Sequence, residues 1–461
     1  MPNYAVTKNT ERSMLHSRNW LIKHNYPFGK AAERIPFGDV KIEYLRTRPD
    51  VTLFNPNGEE DYIGDNEHLL VTVSPDGGEL LAFWTQSSCE ANGDNHIVIS
   101  KSRDGIHFTS PEYITGTKRG QLHNQSSWGF PVLSLKGRIY LFFTKELDIF
   151  DNNYSGSGAM GCLYSDDGAN TWSKESLIPM PRSRHDNPDV SKPKNWIVWQ
   201  KPIRDAKGKH FVGYTLVTSH AHGIKDPDQS RWVNADSRCY FMCFENLDEN
   251  PEPKDIKITW LPDDDKGIEV RNKTLPDMST AQEPAVTLLL DGRIFCIMRN
   301  TTGYIQYYLS SDNGHTFTDP KPLRYCDGGP KIKHPMSPCP IYDVGGGHYL
   351  IAFHNNAGTH LGFSQYAENW PCNMANFYRN PLYIAVGKFS PESEQPLRFG
   401  KPYKFLDDDD IAVGPKQTAE TGTYTSVTDF NGKLTFWYPD RKYYLLGKYL
   451  SPELITKLAP E

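Results

Sequence analysis

The stretch SSDNGHTF, Ser310 to Phe317, decides the fold of this 461-residue chain because it recurs. A near copy, SDDGANTW at 165–172, puts Ser165, Asp167, Thr171 and Trp172 in the places of Ser310, Asp312, Thr316 and Phe317, and a shorter version, SRDGIHF, lies at 102–108. The pattern is a turn with its physics built in. Asp folds back on the loop amides, Gly takes left-handed backbone angles, and the closing aromatic is free to plug the gap between neighbouring sheets. Such a turn is structural and is assigned no catalysis.

Outward from these turns the chain is a string of paired apolar runs around short polar turns: HLLVTVSPDGGELLAFW (68–84), FPVLSLKGRIYLFF (130–143), WQKPIRDAKGKHFVGYTLV (199–217), EPAVTLLLDGRIFCIMR (283–299), CPIYDVGGGHYLIAFH (339–354) and YTSVTDFNGKLTFWYPDRKYYLLGKYL (424–450). A small sheet cannot bury both its faces alone, and stacking such sheets around an axis covers the faces and removes most open edges. The expectation is therefore all-β: a β-propeller of six four-stranded antiparallel blades, at about 68–115, 128–179, 198–261, 283–323, 334–405 and 422–449. DVKIEYLRTR, 39–48, is the expected outer strand that closes the last blade, and a seventh blade is the alternative if the N-terminal region or the insert at 355–380 hides a sheet. Without a Pro/Ser-rich linker, residues 1–461 read as one domain, with an extension at 1–37 and blades within about 38–450. Short helices fit only the opening 35 residues or so and the closing SPELITKLAPE, and the acidic run 407–410 reads as a solvated loop.

Composition agrees. Gly 36, Pro 34 and 12% aromatic residues describe many tight turns and flat side chains suited to pleated surfaces. A net charge of −6 argues against a nucleic-acid partner, which needs a basic face. No apolar run reaches the roughly 20 residues that span a bilayer, so no membrane partner is expected, and the opening residues carry charges where a signal peptide is apolar. The eight cysteines lack C-x-x-C spacing, which excludes a zinc ribbon, and Cys239 and Cys243 share one face of an apolar strand as small core residues.

These turns and hairpins, with SSWGFPVLSLKGRIYLFFTK (126–145), WIVWQKPIRDAKGK (196–209), NPLYIAVGKF (380–389) and YPDRKYYLLGK (438–448), resemble the Asp-box (BNR-repeat) propellers, which include sialidases and the propeller lyases acting on ulvan and rhamnose-capped glucuronic acid. The sialidase resemblance implies Arg299 and Arg441 as the second and third members of a carboxylate-gripping arginine triad, and Tyr424, with Glu420 nearby, as the site tyrosine. The first arginine's position, in GDNEHLLV, holds His68; the Arg-Ile-Pro at 34–36 is too far upstream and reads as coincidence. The lyase resemblance implies His68 and His96 as catalytic imidazoles, able to take and return a proton near neutrality. The lyase tyrosine and arginine positions fall near Thr144 and Met160, which cannot serve, so Tyr154 is the substitute on that loop.

Further candidates come from their places in the pattern. Arg238, Arg299, Arg379 and Arg441 lie near strand ends, where a guanidinium fork would clamp a carboxylate. Glu283 is an isolated carboxylate at a strand start. His123 precedes the second blade at the same mouth, and His334 takes the like position before the fifth. A uronate-containing oligo- or polysaccharide is the implied substrate, cut by β-elimination, with hydrolysis of sialidase type and glycan binding without catalysis as alternatives; that substrate class implies a secreted or periplasmic setting. The chemistry requires no organic cofactor. A structural calcium or zinc ion stays open, with His220 and His222 as weak candidate ligands.

Overall fold

A computed structural model describes residues 46–56, 62–90, 92–151, 157–222, 236–271, 277–357, 379–409 and 420–461. Antiparallel pairing organises them into six meanders. Blade 1 is Asp65–Val73, Leu80–Ser87, His96–Ser102 and Glu112–Gly116; blade 2 is Ser126–Leu133, Ile139–Lys145, Ser157–Ser165 and Ser176–Ile178. Blade 3 has a first strand in two pieces, Lys194–Ile197 and Ile203–Arg204, then His210–Val217, Ser237–Phe244 and Ile258–Leu261, and its first residues also pair with Ser157 and Gly158 of blade 2. Blade 4 is Gln282–Leu288, Ile294–Arg299, Gln306–Ser310 and Lys321–Pro322. Blade 5 is Ile341–Asp343, His348–Phe353, Leu382–Phe389 and an outer strand split into Leu397–Phe399 and Tyr403–Leu406. Blade 6 is Ser426–Phe430, Lys433–Asp440 and Tyr444–Tyr449, completed by Val51–Phe54.

The apolar packing closes the ring. Leu81, Phe83, Leu141 and Phe143 fill the interface of blades 1 and 2; Phe130, Phe142, Trp196 and Met242 that of 2 and 3; Phe211, Phe241, Cys296 and Met298 that of 3 and 4. Phe295, Ile297, Tyr349 and Ile351 join 4 to 5, Leu350, Ile384, Phe436 and Tyr438 join 5 to 6, and Leu69, Trp84, Trp437 and Leu445 join 6 back to 1. Six interfaces among the described residues mean six blades. Because each sheet is covered on both faces, strands such as Leu80–Ser87 and His210–Val217 are buried at every residue.

All three turn motifs form. Ser310 Oγ donates to Asp312 Oδ1 (2.8 Å), which accepts the Thr316 N–H (2.9 Å), while Thr316 Oγ1 donates to Oδ2 (2.6 Å). Ser165, Asp167 and Thr171 repeat these distances. In the shorter copy His107 replaces the threonine and reaches Asp104 Oδ2 at 2.6 Å. Each closing aromatic packs on the preceding blade: Phe317 on Phe241 (4.7 Å between centroids), Trp172 on Phe83 (6.2 Å) and Phe108 on Trp437 (5.5 Å).

Three expectations are corrected or fall elsewhere. The closing strand is Val51–Phe54 rather than 39–48; residues 1–45 lie outside the described residues, and left-handed Arg48 (φ 51°), followed by Pro49, separates 46–48 from the strand. The acidic run is not wholly solvated, since Asp408 is fully buried beside Arg441; Asp410 lies outside the described residues. Most of the 355–380 insert, 358–378, also lies outside them. The C-terminal helix forms at Pro452–Leu458, with Ser451 Oγ capping the Leu454 N–H. Cys239 and Cys243 are buried together in the blade 3–4 core. No helix among the described residues is long and apolar enough to cross a membrane.

Candidate functional site

Four blades enter their first strand in the same unusual way. His68, Trp128, Glu283 and Tyr424 have φ of 57°, 54°, 53° and 62°. Left-handed backbone costs a residue with a Cβ about 1–2 kcal/mol, so repeating it in four blades indicates a packed requirement at that position. In blades 1, 2 and 4 the pairing register slips at this residue, between Glu67 and Leu70, Ser127 and Phe130, and Gln282 and Ala285. Cross-blade bonds hold the entry: the Trp128 N–H donates to Thr85 Oγ1 (2.8 Å) and the Glu283 N–H to Thr215 Oγ1 (2.7 Å).

The result is a cluster centred on Tyr424. Its hydroxyl donates to Glu283 Oε1 (3.0 Å), which also accepts from Arg299 Nη1 (2.9 Å). Glu283 Oε2 has no hydrogen-bond partner among the described residues. The His68 ring lies 4.1 Å from the Tyr424 ring and 5.6 Å, edge-on, from Trp128. Both His68 nitrogens are buried without hydrogen bonds among the described residues, with Nδ1 3.5 Å from Glu67 Oε1. Lys442 Nζ stands 5.3 Å over the Tyr424 ring and bonds Glu67 (2.7 Å) and Glu90 (2.8 Å). Arg379 binds Glu420 (2.9 Å) and the Met336 carbonyl (3.1 Å). Burial, then the Glu283 carboxylate, pushes the Tyr424 phenol up, against the pull of Lys442, Arg299 and Arg379. Burial, then Lys442, holds His68 well below the usual histidine range, so it is neutral at pH 7.

Beneath Tyr424, the interrupted first strand of blade 3 sends Trp199-Gln200-Lys201 across the ring. Trp199 packs edge-on against Tyr424 (6.1 Å). Gln200 accepts the Val286 N–H (2.7 Å) and donates to the Val286 and Ile341 carbonyls, tying blades 4 and 5, while Lys201 Nζ reaches the Val71 and Val427 carbonyls of blades 1 and 6 (3.3 and 3.5 Å). This tripeptide plugs the ring below the cluster.

Other sequence candidates stand elsewhere or are already engaged. His96 is fully buried, stacked on Tyr62 (3.9 Å, 5°), with Nδ1–H donating to the Asp94 carbonyl (3.0 Å) and Nε2 3.2 Å from Gln86 Oε1; burial lowers it to about 4. That packing does not support the proton transfer assigned to it. His334 is likewise held, donating to the Ser337 carbonyl (2.8 Å) and accepting from the His354 N–H (3.3 Å). Arg238 serves Asp236 (2.7 Å) and Glu269 (3.0 Å). Arg441 is closed in a fork on Asp440 (3.0 and 2.9 Å) with no exposure, so the second guanidinium near Tyr424 is that of Arg379. Tyr424 pairs with Glu283, and Glu420 with Arg379. His123 faces Glu146 and Asp148 on blade 2. His222 donates to the Asp186 carbonyl (2.7 Å), and it and His220 join no metal-capable group among the described residues. Tyr154 lies outside the described residues.

Sequence reading missed Lys442, one residue beyond the arginine it chose, and His354, whose ring is fully buried beside His334 and which feels Arg379 and Glu420. Both Arg441 (φ 58°) and Lys442 (φ 52°) are left-handed, and Arg441 goes to Asp440 while Lys442 goes to Glu67 and Glu90, a backbone fact that the string PDRK does not display.

Comparison with known proteins gives one family model, the BNR repeat-like domain, matching residues 78–398. No curated protein matches. Similar solved structures include a protein of unknown function from Dyadobacter fermentans (12% identity, 87% of this chain and 96% of that one, TM-score 0.55). The intramolecular trans-sialidase from Ruminococcus gnavus is similar at 12% identity over 88% of this chain and 98% of its own, TM-score 0.55. The NanB sialidase from Streptococcus pneumoniae is similar at 11% over 90% and 73%, TM-score 0.55. At these identities the likeness concerns the fold.

Proposed function

This chain belongs to the BNR repeat-like family of β-propellers, and from that premise we propose that it is a glycoside hydrolase working through Tyr424. The observation that carries the reading is the Tyr424–Glu283–Arg299 chain, with two bonds of 3.0 and 2.9 Å meeting on one carboxylate oxygen. As Tyr424 Oη forms its bond to the anomeric carbon, its proton passes to Glu283, and the glycosidic bond breaks, the departing aglycone oxygen taking a proton from solvent water; water then cleaves the glycosyl-tyrosine, its own proton leaving to solvent while Glu283 returns the first proton to Tyr424 Oη. A neutral tyrosine relays the negative charge of Glu283 without bringing a carboxylate against an acidic sugar, the logic of tyrosine nucleophiles in sialidases. Arg299, Arg379 and Lys442 supply the cations around Tyr424 that suit a sugar carboxylate. The plug below favours a terminal sugar over an internal one.

One observation favours a second reading. His68 is neutral, buried against Tyr424 and without hydrogen bonds among the described residues, which suits removal of the proton beside a uronate carboxylate, with Tyr424 returning a proton to the leaving oxygen. The experiment is a panel of sialosides and uronate glycans, read for released sugar and for ultraviolet-absorbing unsaturated uronate, followed by a fluorinated glycosyl fluoride of whichever sugar is released. A covalent adduct on the Tyr424 peptide is expected. Unsaturated product without an adduct replaces hydrolysis by elimination, and an adduct on another residue removes Tyr424 as the nucleophile.

A further inference from the structure

We propose that blade 2 carries a divalent transition-metal site formed by His123, Glu146 and Asp148, separate from the Tyr424 cluster. His123 lies just before the first strand of the blade and the two carboxylates just after its second; the Ser126–Lys145 pairing puts all three at the blade end where Trp128 enters. One ligand atom from each lies within 4.8 Å of the others.

Two features set this group apart from an ordinary surface ion pair. The first is Glu146. Its side chain is 2% exposed, and Oε2 accepts the Gln125 N–H (2.9 Å), but Oε1 has no hydrogen-bond donor among the described residues. A buried carboxylate oxygen without a donor is costly, and this one faces the group. The second is spacing. His123 Nδ1 is 3.6 Å from Glu146 Oε1 and 3.5 Å from Asp148 Oδ1. A charge-assisted hydrogen bond closes to about 2.7–2.9 Å. Two donors on a shared ion at about 2.1 Å, at tetrahedral angles, stand about 3.4 Å apart. His123 Nδ1 thus stands from both carboxylate oxygens at the separation of ligands around a cation and too far for direct bonds, and the two oxygens lie within 4.8 Å of one another.

The donor set selects the ion. Imidazole nitrogen with two carboxylates suits Zn²⁺ or Mn²⁺, whereas Ca²⁺ takes oxygens alone. Asp148 is 69% exposed and His123 40%, so an ion reaches the group from solvent and keeps open positions for water or a glycan oxygen.

The test is calorimetric titration of the chelator-treated full chain with zinc chloride, manganese chloride and calcium chloride, repeated on His123→Ala and Glu146→Gln. His123 is exposed enough to truncate without opening the core, and the glutamine keeps the acceptor for Gln125; unchanged melting temperatures verify both folds. About one equivalent of zinc or manganese is expected, with affinity falling at least about tenfold in each variant. Failure of zinc and manganese to saturate the parent, equal affinity in both variants, or calcium binding in preference to zinc and manganese overturns the proposal.

Discussion

Tyr424→Phe removes one oxygen from the centre of the cluster. The hydroxyl makes one bond, 3.0 Å, to a carboxylate that keeps Arg299 at 2.9 Å, so Glu283 Oε1 is not orphaned. A buried hydrogen bond to a charged group is worth about 1.5–3 kcal/mol, and the surviving arginine favours the lower end. For 461 residues, an unfolding entropy of about 2.1 cal/mol/K per residue turns this loss into a fall of only about 1–3 °C in Tm. A missing nucleophile costs far more, at least about 10³-fold in turnover, or roughly 4 kcal/mol of barrier. Because the phenol is held above its ordinary range, no phenolate stands ready at neutral pH; the proton needs Glu283, and Glu283→Gln should lose about 10²–10⁴-fold. Differential scanning calorimetry beside turnover of the substrate found in the glycan panel separates the two scales. Turnover within tenfold of the parent, with the same small Tm shift, would make Tyr424 a packing residue and refute the reasoning.

Buried histidines predict acid instability. His96, His210 and His334 titrate at about 4 because burial disfavours the imidazolium, whereas the unfolded chain takes up those protons near 6.5. The unfolded state therefore binds more protons between those values: the histidine contribution is complete above pH 6.5 and is lost as pH falls to about 4, by up to about 4 kcal/mol per pH unit for three protons. Urea midpoints that stay flat from pH 7 to 4.5 would contradict this. Burial also brings Lys201 from 10.5 to about 8, so its share of stability rises with pH across that window by up to about 1.4 kcal/mol per unit. Lys201→Met should remove that rise while matching the parent's stability or exceeding it at pH 7; parallel stability curves from pH 7 to 10.5 would show the ammonium is solvated. A Cβ at Gly213 would meet Pro284 Cγ at 2.6 Å, next to Glu283. Gly213→Ala should cost about 1–3 kcal/mol and lower turnover beyond what unfolding explains; loss of stability with full turnover would show that Glu283 keeps its place.

The fold was legible because its signals are local and repeated. Ser-x-Asp turns and hairpins name their own geometry, and the expected blade limits fall within a few residues of the observed strands except at blade 5, whose first strand begins at Ile341 rather than near 334. The closing strand was misplaced because Arg48 and Pro49 break a run that alternates well on paper. The site was half legible. Tyr424, Glu283, Arg299, Arg379 and His68 were all selected, yet their partners were not, since pairing across blades depends on backbone angles at single residues. His96 and His334 have the sequence setting of functional loops, but the sequence does not display that His96 stacks on Tyr62 or that His334 bonds the Ser337 carbonyl.

The same repetition that exposes the fold conceals the site. Corresponding entry positions carry His68, Trp128, Glu283 and Tyr424, so the backbone device is shared while the chemistry differs from blade to blade. Charge there comes in pairs: Arg299 with Glu283, Arg379 with Glu420, Lys442 with Glu67. Removing one member strands the other at a cost of about 3–5 kcal/mol, whereas exchanging a pair together can be nearly neutral. A mouth built this way tolerates a histidine where the sialidase resemblance expects an arginine, because His68 is neutral and leaves no unmatched charge behind. Under the hydrolase reading proposed above, specificity then rests on how a sugar carboxylate shares Arg299 and Arg379 with the glutamates already bound to them.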